Sequence, residues 1–192
     1  MSVTDVIRRR LGLTVMLACL GVAASSASAD QTDPRLSDLF SSLVNAPNPG
    51  IAQGIQQEIW EIWFEGPDNR SVDALMNARM AAEAGDVEAA GRAFDRLVED
   101  YPGFAEAWNQ RAILRYLVGD ITGSLSDIDQ ALALEPRHFG ALSGRGQCYL
   151  RMENYRAALN SFEEALGINP WIQSTARQIQ MLKAILSQQQ PI

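Results

Sequence analysis

Histidine occurs once in the 192 residues, at position 138. A metal centre needs three or four converging ligands, and one imidazole supplies only one of them. His138, in the loop EPRHFGA, therefore reads as a structural residue. Carboxylates come in pairs at Glu163-Glu164 and at Asp127 and Asp129, as acid–base catalysis would want. Both pairs fall on helical stretches, where such charges read as a solvated face. GALSGRGQC (140–148) has the glycine spacing of a phosphate cradle, but that chemistry needs a loop between strand and helix. The segment reads instead as helix interior, with its glycines serving packing. No catalytic group, cofactor or metal site is expected. Any function must come from a surface, and the elements that shape that surface are the next question.

The N-terminus reads as a secretory leader. A charged stretch ends in Arg8, Arg9 and Arg10, an apolar run LGLTVMLACLGVAA follows, and Ala27-Ser28-Ala29 forms a small-residue cleavage site. The apolar run is short for a membrane span. Cleavage after Ala29 is expected, giving an exported protein beginning at Asp30, with no membrane insertion after cleavage. The residues after the arginines match the twin-arginine pattern poorly, which favours Sec export.

Removing residues 1–29 leaves 13 Lys and Arg against 22 Asp and Glu, a formal charge of −9. Nucleic acid and anionic lipid are disfavoured as partners, because their phosphates want basic clusters. Cys148 is then the only thiol, so no internal disulfide can form. It reads as a small buried hydrophobe on a helix.

The segments EDYPGF, LEPRHF and INPWIQ place Pro102, Pro136 and Pro170 at intervals of 34 residues. Rows of 34 that begin at Ser71, Ala105 and Phe139 agree column by column. The fourth position holds Ala74, Trp108 and Leu142; the eighth holds Ala78, Ala112 and Gly146. The twentieth holds Ala90, Ser124 and Ala158; the twenty-fourth holds Phe94, Ile128 and Phe162. Spacings of four and three put positions 4, 8 and 11 on one helical face, and 20, 24 and 27 on another. Small residues at 8 and 20 let two backbones approach, and bulky ones at 4 and 24 fill the flanks. Position 15 holds Gly85, Gly119 and Glu153, where a left-handed residue ends the first helix. Position 16 holds Asp86, Asp120 and Asn154, which suit the cap of the second.

This pattern resembles the tetratricopeptide repeat (TPR), over residues 71–172. The resemblance implies an all-α, right-handed superhelix of helical hairpins: one repeat over 71–104, a second over 105–138, a third over 139–172. Residues 173–192 are expected to supply a capping helix and tail. Residues 30–70 read as an N-terminal helical pair whose Trp60, Trp63 and Phe64 plug the open end of the stack or, alternatively, form an exposed aromatic patch for a partner. Trp108 is expected in the inter-helix core.

The resemblance also implies that the first helix of each repeat lines a concave groove for a protein or peptide partner. Positions 2, 5, 9, 12 and 13 lie away from the core stripe, and the groove residues expected to bind are Arg79, Asn109, Ile113, Tyr116, Ser143, Gln147 and Arg151. Some TPR domains hold a terminal carboxylate with Lys, Asn and Arg; the corresponding positions here are Leu75, Arg79, Gln110, Gly140 and Gly144. Only Arg79 suits that task, so a chaperone-tail clamp is not expected. A leader, a helical prelude, three repeats and a Gln-rich end together are similar to small periplasmic TPR proteins of Gram-negative bacteria. That similarity implies an adaptor at the cell envelope. A self-associating structural module, forming a homo-oligomer, is the alternative reading.

Overall fold

The computed structural model describes residues 31–188; the expected leader lies outside them. Every regular element among the described residues is a helix. Two precede the repeats: α1 (Arg35–Val44) and α2 (Pro49–Glu65). Three hairpins follow: α3 (Asn69–Glu83) with α4 (Val87–Asp100), α5 (Ala105–Val118) with α6 (Ile121–Leu134), and α7 (Phe139–Arg151) with α8 (Tyr155–Ile168). α9 (Gln173–Gln188) closes the stack against α8.

The turns inside the hairpins follow the expected chemistry. Asp86, Asp120 and Asn154 accept hydrogen bonds from the backbone N–H groups of Ala89, Gly123 and Ala157 at 2.9, 3.0 and 3.3 Å. Each satisfies a donor that the helix itself leaves orphaned. The residue before each cap has positive φ: Gly85 at 78°, Gly119 at 89° and Glu153 at 57°. Glu153 holds a left-handed conformation that glycine adopts more cheaply.

Packing follows the columns. Phe94, Ile128 and Phe162 are buried, as are Ala78, Ala112 and Gly146. A Cβ at Gly146 would collide with the Phe162 ring, so this glycine lets α8 approach α7. Ser124, where alanine is usual, is buried and donates to the Ala112 carbonyl at 2.8 Å. The thiol of Cys148 lies 3.3 Å from that hydroxyl, and burial pushes its pKa up.

Three expectations need correction. Asp127 is buried beneath two guanidiniums, Arg111 at 2.7 Å and Arg115 at 3.1 Å, and is no solvated face. Arg111 also reaches back to Asp95 at 2.9 Å, so it ties α5 to α4 as well as α6. Trp108 packs against the cores on both sides of α5 but is only half-buried; its indole N–H bonds the Pro102 carbonyl at 2.9 Å and its ring carries the Arg111 guanidinium at 4.9 Å.

The third correction concerns the N-terminal pair. Phe64 does pack against the first repeat's core, but the pair leaves that repeat's outer face uncovered, where Met76 and Met80 of α3 remain 44% and 62% exposed. It runs instead along the row of turns that join one hairpin to the next, the turns that carry the prolines. Gln31 accepts from Ala105 N–H at 3.3 Å and donates to the Gly103 carbonyl, which caps α5 from outside. Trp60 and Trp63 pack on His138 and Phe139, and Arg137 lies 4.4 Å over the Phe40 ring. Asn169 donates to Gln56 at 2.8 Å, and the Trp171 indole to the Leu43 carbonyl at 2.9 Å. The pair is a strap across the two inter-repeat turns and the turn into α9, with its own core of Leu36, Phe40, Leu43, Ile59 and Trp63.

Candidate functional site

The concave side is built by α3, α5 and α7, with α2 adding a wall at the C-terminal end. Three cavities run along it in series. The first, about 300 Å³, lies between α3 and α5 and includes Arg79, Glu83, Gln110, Ile113 and Leu117. The second, about 160 Å³, lies between α5 and α7 with its floor on α6; Ile113, Tyr116, Ile128 and Gly144 make it apolar, and Asn109 and Gln147 bring amides. The third, about 240 Å³, lies between α7, α2 and the start of α9, lined by Gln56, Trp60, Ser143, Gln147 and Thr175 among others. Ile113 belongs to the first and second, Gln147 to the second and third. The three therefore adjoin one another along one trough.

Six of the seven residues expected from sequence line this trough. Arg79 lies 5.0 Å over the Phe64 ring and 3.7 Å from Glu83. Asn109 lines the middle cavity but is almost wholly buried, because its amide donates to Glu106 at 3.1 Å. Ser143 sits 3.4 Å from the Thr175 hydroxyl in the third cavity. Arg151 is the exception: it stands outside the cavity linings, exposed, its guanidinium 5.4 Å from the Tyr116 ring centroid.

Beneath the trough lies a buried polar knot. His138 caps α7: its Nδ1 accepts from Ala141 N–H at 3.1 Å. That leaves Nε2 to carry the proton, and it donates to Glu106 Oε2 at 2.9 Å. Glu106 also accepts from the Asn109 and Gln110 amides. Each buried acceptor is thus supplied, as burial requires. Position 2 of the second repeat is a structural fastening between α5 and α7, and not a groove contact. Among the described residues no three His, Cys, Asp or Glu side chains lie where they would hold a metal ion.

Sequence reasoning missed Trp60, Gln56 and Thr175 as groove residues. The missing signal was long-range: α2 joins the trough only because it straps the turns. Glu106–His138 and Ser143–Thr175 were within reach, since both pairs are separated by 32 residues, close to one repeat. Such a spacing puts two side chains near the starts of successive leading helices.

The geometry agrees with the comparisons to known proteins. Two sequence profiles, both described as tetratricopeptide repeat, match residues 75–124 and 140–171. A TPR repeat-containing protein of Rhizobium etli is 36% identical over 149 residues, covering 77% of this chain and 72% of that protein. Tetratricopeptide repeat protein 36 of Bos taurus is 44% identical over 59 residues, but the match covers only 31% of each chain. The first TPR of Spaghetti (RPAP3), solved bound to the HSP90 peptide SRMEEVD, superposes with a TM-score of 0.60 at 16% identity, over 62% of this chain and 96% of that one. The TPR2B domain of yeast Sti1, solved in complex with pHsp70, gives 0.56 at 19% identity, over 64% and 100%. A 34-residue register seen in the columns, hairpins that obey it, and a relative aligned over most of both chains lead to one assignment: the chain belongs to the tetratricopeptide repeat family.

Proposed function

We propose that the chain is an interaction module that holds an extended peptide or a partner helix in the trough between its leading helices. The observation that carries this is the succession of three adjoining cavities along the leading helices, with largely apolar linings and a few amides and charges among them. Pockets of this kind fix a ligand's orientation with few polar groups and gain affinity from apolar burial. The solved neighbours from Spaghetti and Sti1, which share the fold, are complexed with a chaperone peptide and with pHsp70. This chain presents Leu75, Gly140 and Gly144 where a carboxylate clamp needs polar side chains, so its partner differs from a chaperone tail.

The leader pattern supports a periplasmic location for this module, and an adaptor at the cell envelope is the role we propose for it there. N-terminal sequencing of protein recovered from the periplasmic fraction should begin at Asp30. A pull-down from periplasm and solubilised membrane should recover partners that an Arg79→Glu/Tyr116→Ala variant loses. Identical partner sets for the two proteins would remove the trough from the account.

A second reading rests on Met76 and Met80, which stay exposed on α3 at the uncovered end of the stack. That face could pair two copies. Light scattering decides it: a monomer at tens of micromolar removes self-association.

A further inference from the structure

The third cavity, between α7, α2 and the start of α9, is built differently from the two before it. Gln56 and Trp60 come from outside the repeats, so consecutive leading helices do not make this site by themselves. Residue 140 admits the strap here, because a Cβ on this glycine would come within 2.7 Å of the Trp60 ring. Gln56, Ser143, Gln147, Ser174 and Thr175 supply the polar part of the lining, all of it amide or hydroxyl. Trp60 supplies ring surface that stays partly exposed. No charged side chain lines the cavity, in a chain where one residue in five is charged. The first cavity, by contrast, has Arg79 and Glu83 in its lining.

Much of this polar capacity is unused by the fold. The side chains of Gln147 and Ser174 make no hydrogen bond to another described residue. Gln56 accepts from Asn169 through Oε1, which leaves its N–H groups to donate. The Ser143 and Thr175 hydroxyls share one hydrogen bond at 3.4 Å, so the pair keeps one further proton to give. Such a lining selects by what it lacks as well as by what it offers. A charged ligand would surrender its hydration and meet no opposite charge. A wholly apolar ligand would cover amides and hydroxyls without bonding them. An amide both gives and accepts, and a hydroxyl turns to do either, so the lining suits a ligand whose own polar groups are neutral hydroxyls. The C–H groups of that ligand would meet Trp60 and Ile172, in the apolar part of the lining. The space of about 240 Å³ is smaller than pockets for drug-sized molecules, about 300–1,000 Å³, and limits the ligand to about one ring.

We infer that the third cavity binds a single neutral sugar ring, with Gln56, Gln147 and Ser174 bonding its hydroxyls and its C–H groups packed on Trp60 and Ile172. The site does not depend on what the first two cavities hold. It goes beyond the peptide reading above, and each can fail without the other.

Saturation-transfer NMR on the purified protein tests this. The probes are methyl glucoside, methyl galactoside and N-acetylglucosamine; the controls are glucuronate, glucosamine and N-acetylalanine amide. Transfer should reach at least one of the three neutral sugars, with a dissociation constant in the millimolar range, and neither the charged sugars nor the amide. Gln147→Leu and Ser174→Ala should each weaken that sugar by about two- to tenfold, the worth of one hydrogen bond. Gln147→Glu should admit glucosamine, a gain that reads the site even if a loss variant folds poorly. The Arg79→Glu/Tyr116→Ala variant should bind the sugar as the wild type does, whatever becomes of its protein partners. Three outcomes would each overturn the inference and leave the peptide reading untouched: no transfer to any of the three sugars at tens of millimolar, sugar binding indifferent to the Gln147 and Ser174 substitutions, or equal transfer to the amide.

Discussion

The indole of Trp63 lies flat on the imidazole of His138, with 4.1 Å between ring centroids and 9° between planes. One ring belongs to the strap and the other caps the third repeat, so this contact is where the prelude and the solenoid become one core. His138 serves three neighbours at once: Trp63 by stacking, Ala141 by accepting, Glu106 by donating. His138→Ala should cost about 3–4 kcal/mol, from a lost cap, an emptied stacking site and a buried carboxylate deprived of one donor. His138→Asn keeps a capping oxygen and should recover about 1 kcal/mol of that. Urea melts of the two variants check the order; equal losses would mean the cap contributes nothing.

Glu153 is the one non-glycine with positive φ among the described residues, at 57°. Its repeat-mates Gly85 and Gly119 adopt that region freely. Glu153→Gly should raise stability by about 0.5–1 kcal/mol: relief of the left-handed cost exceeds the entropy that glycine adds to the unfolded chain. Gly119→Ala should lower it by about 1 kcal/mol for the same reason. Thermal melts of both give opposite shifts if the turn geometry is right.

Trp108 and Phe104 separate burial from size. Phe104 is fully buried in the core of the first two repeats, while Trp108 keeps an exposed edge bonded to Pro102. Phe104→Ala should cost about 3–5 kcal/mol, and Trp108→Ala, although the larger truncation, about 1–3 kcal/mol. A larger loss at Trp108 would mean that the column's consensus position, and not its burial here, sets the energy.

The repeats were legible because each of their rules is local. Capping at position 16, the left-handed turn at 15, and small-against-large at 8, 20 and 24 each need only neighbours within 34 residues, and the same test repeats three times. The path of α1 and α2 was not legible. Their aromatic residues announce burial but not its site, because Trp63–His138 and Trp171–Leu43 join positions 75 and 128 residues apart that no periodicity connects. Asp127 was misjudged for a related reason: a carboxylate on a helix looks solvated until Arg111 and Arg115 are seen to cover it. The trough residues on α5 and α7 came from helical phase alone, whereas the wall from α2 depended on the strap.

The start of the strap should carry an acid-sensitive contribution. Asp33 is buried and accepts from Arg35 through the backbone N–H at 2.8 Å and the guanidinium at 3.0 and 2.8 Å. The Arg35 side chain's hydrogen bonds hold its pKa below the ordinary carboxylate value, against the opposing pull of burial. A depressed folded-state pKa stabilises above the unfolded value of about 3.9, and that gain is lost as pH falls through the folded value. Wild type should therefore lose stability below about pH 4 more steeply than Asp33→Asn, which has nothing left to titrate there. Parallel acid limbs for the two proteins would show that the local Arg35 pairing outlasts unfolding, so that Asp33 has the same pKa in both states.

Gly140 sits where α7 meets the strap, and a Cβ there would come within 2.7 Å of the Trp60 ring. On an isolated helix Gly140→Ala would be favourable by about 1 kcal/mol, so any destabilisation measures the clash with α2. The ring cannot yield easily, because Trp60 is itself set edge-on against Trp63 and Phe139 at 5.1 and 5.3 Å. The substitution should lift α2 locally and leave the Ala-, Phe- and Ile-filled hairpin cores intact. Hydrogen exchange is the measurement: amides of α1 and α2 should lose protection by about tenfold or more, while those of α4 and α6 keep theirs. Uniform loss across all helices would instead mean that strap and solenoid unfold as one cooperative unit, with the Trp63–His138 stack as the joint that couples them.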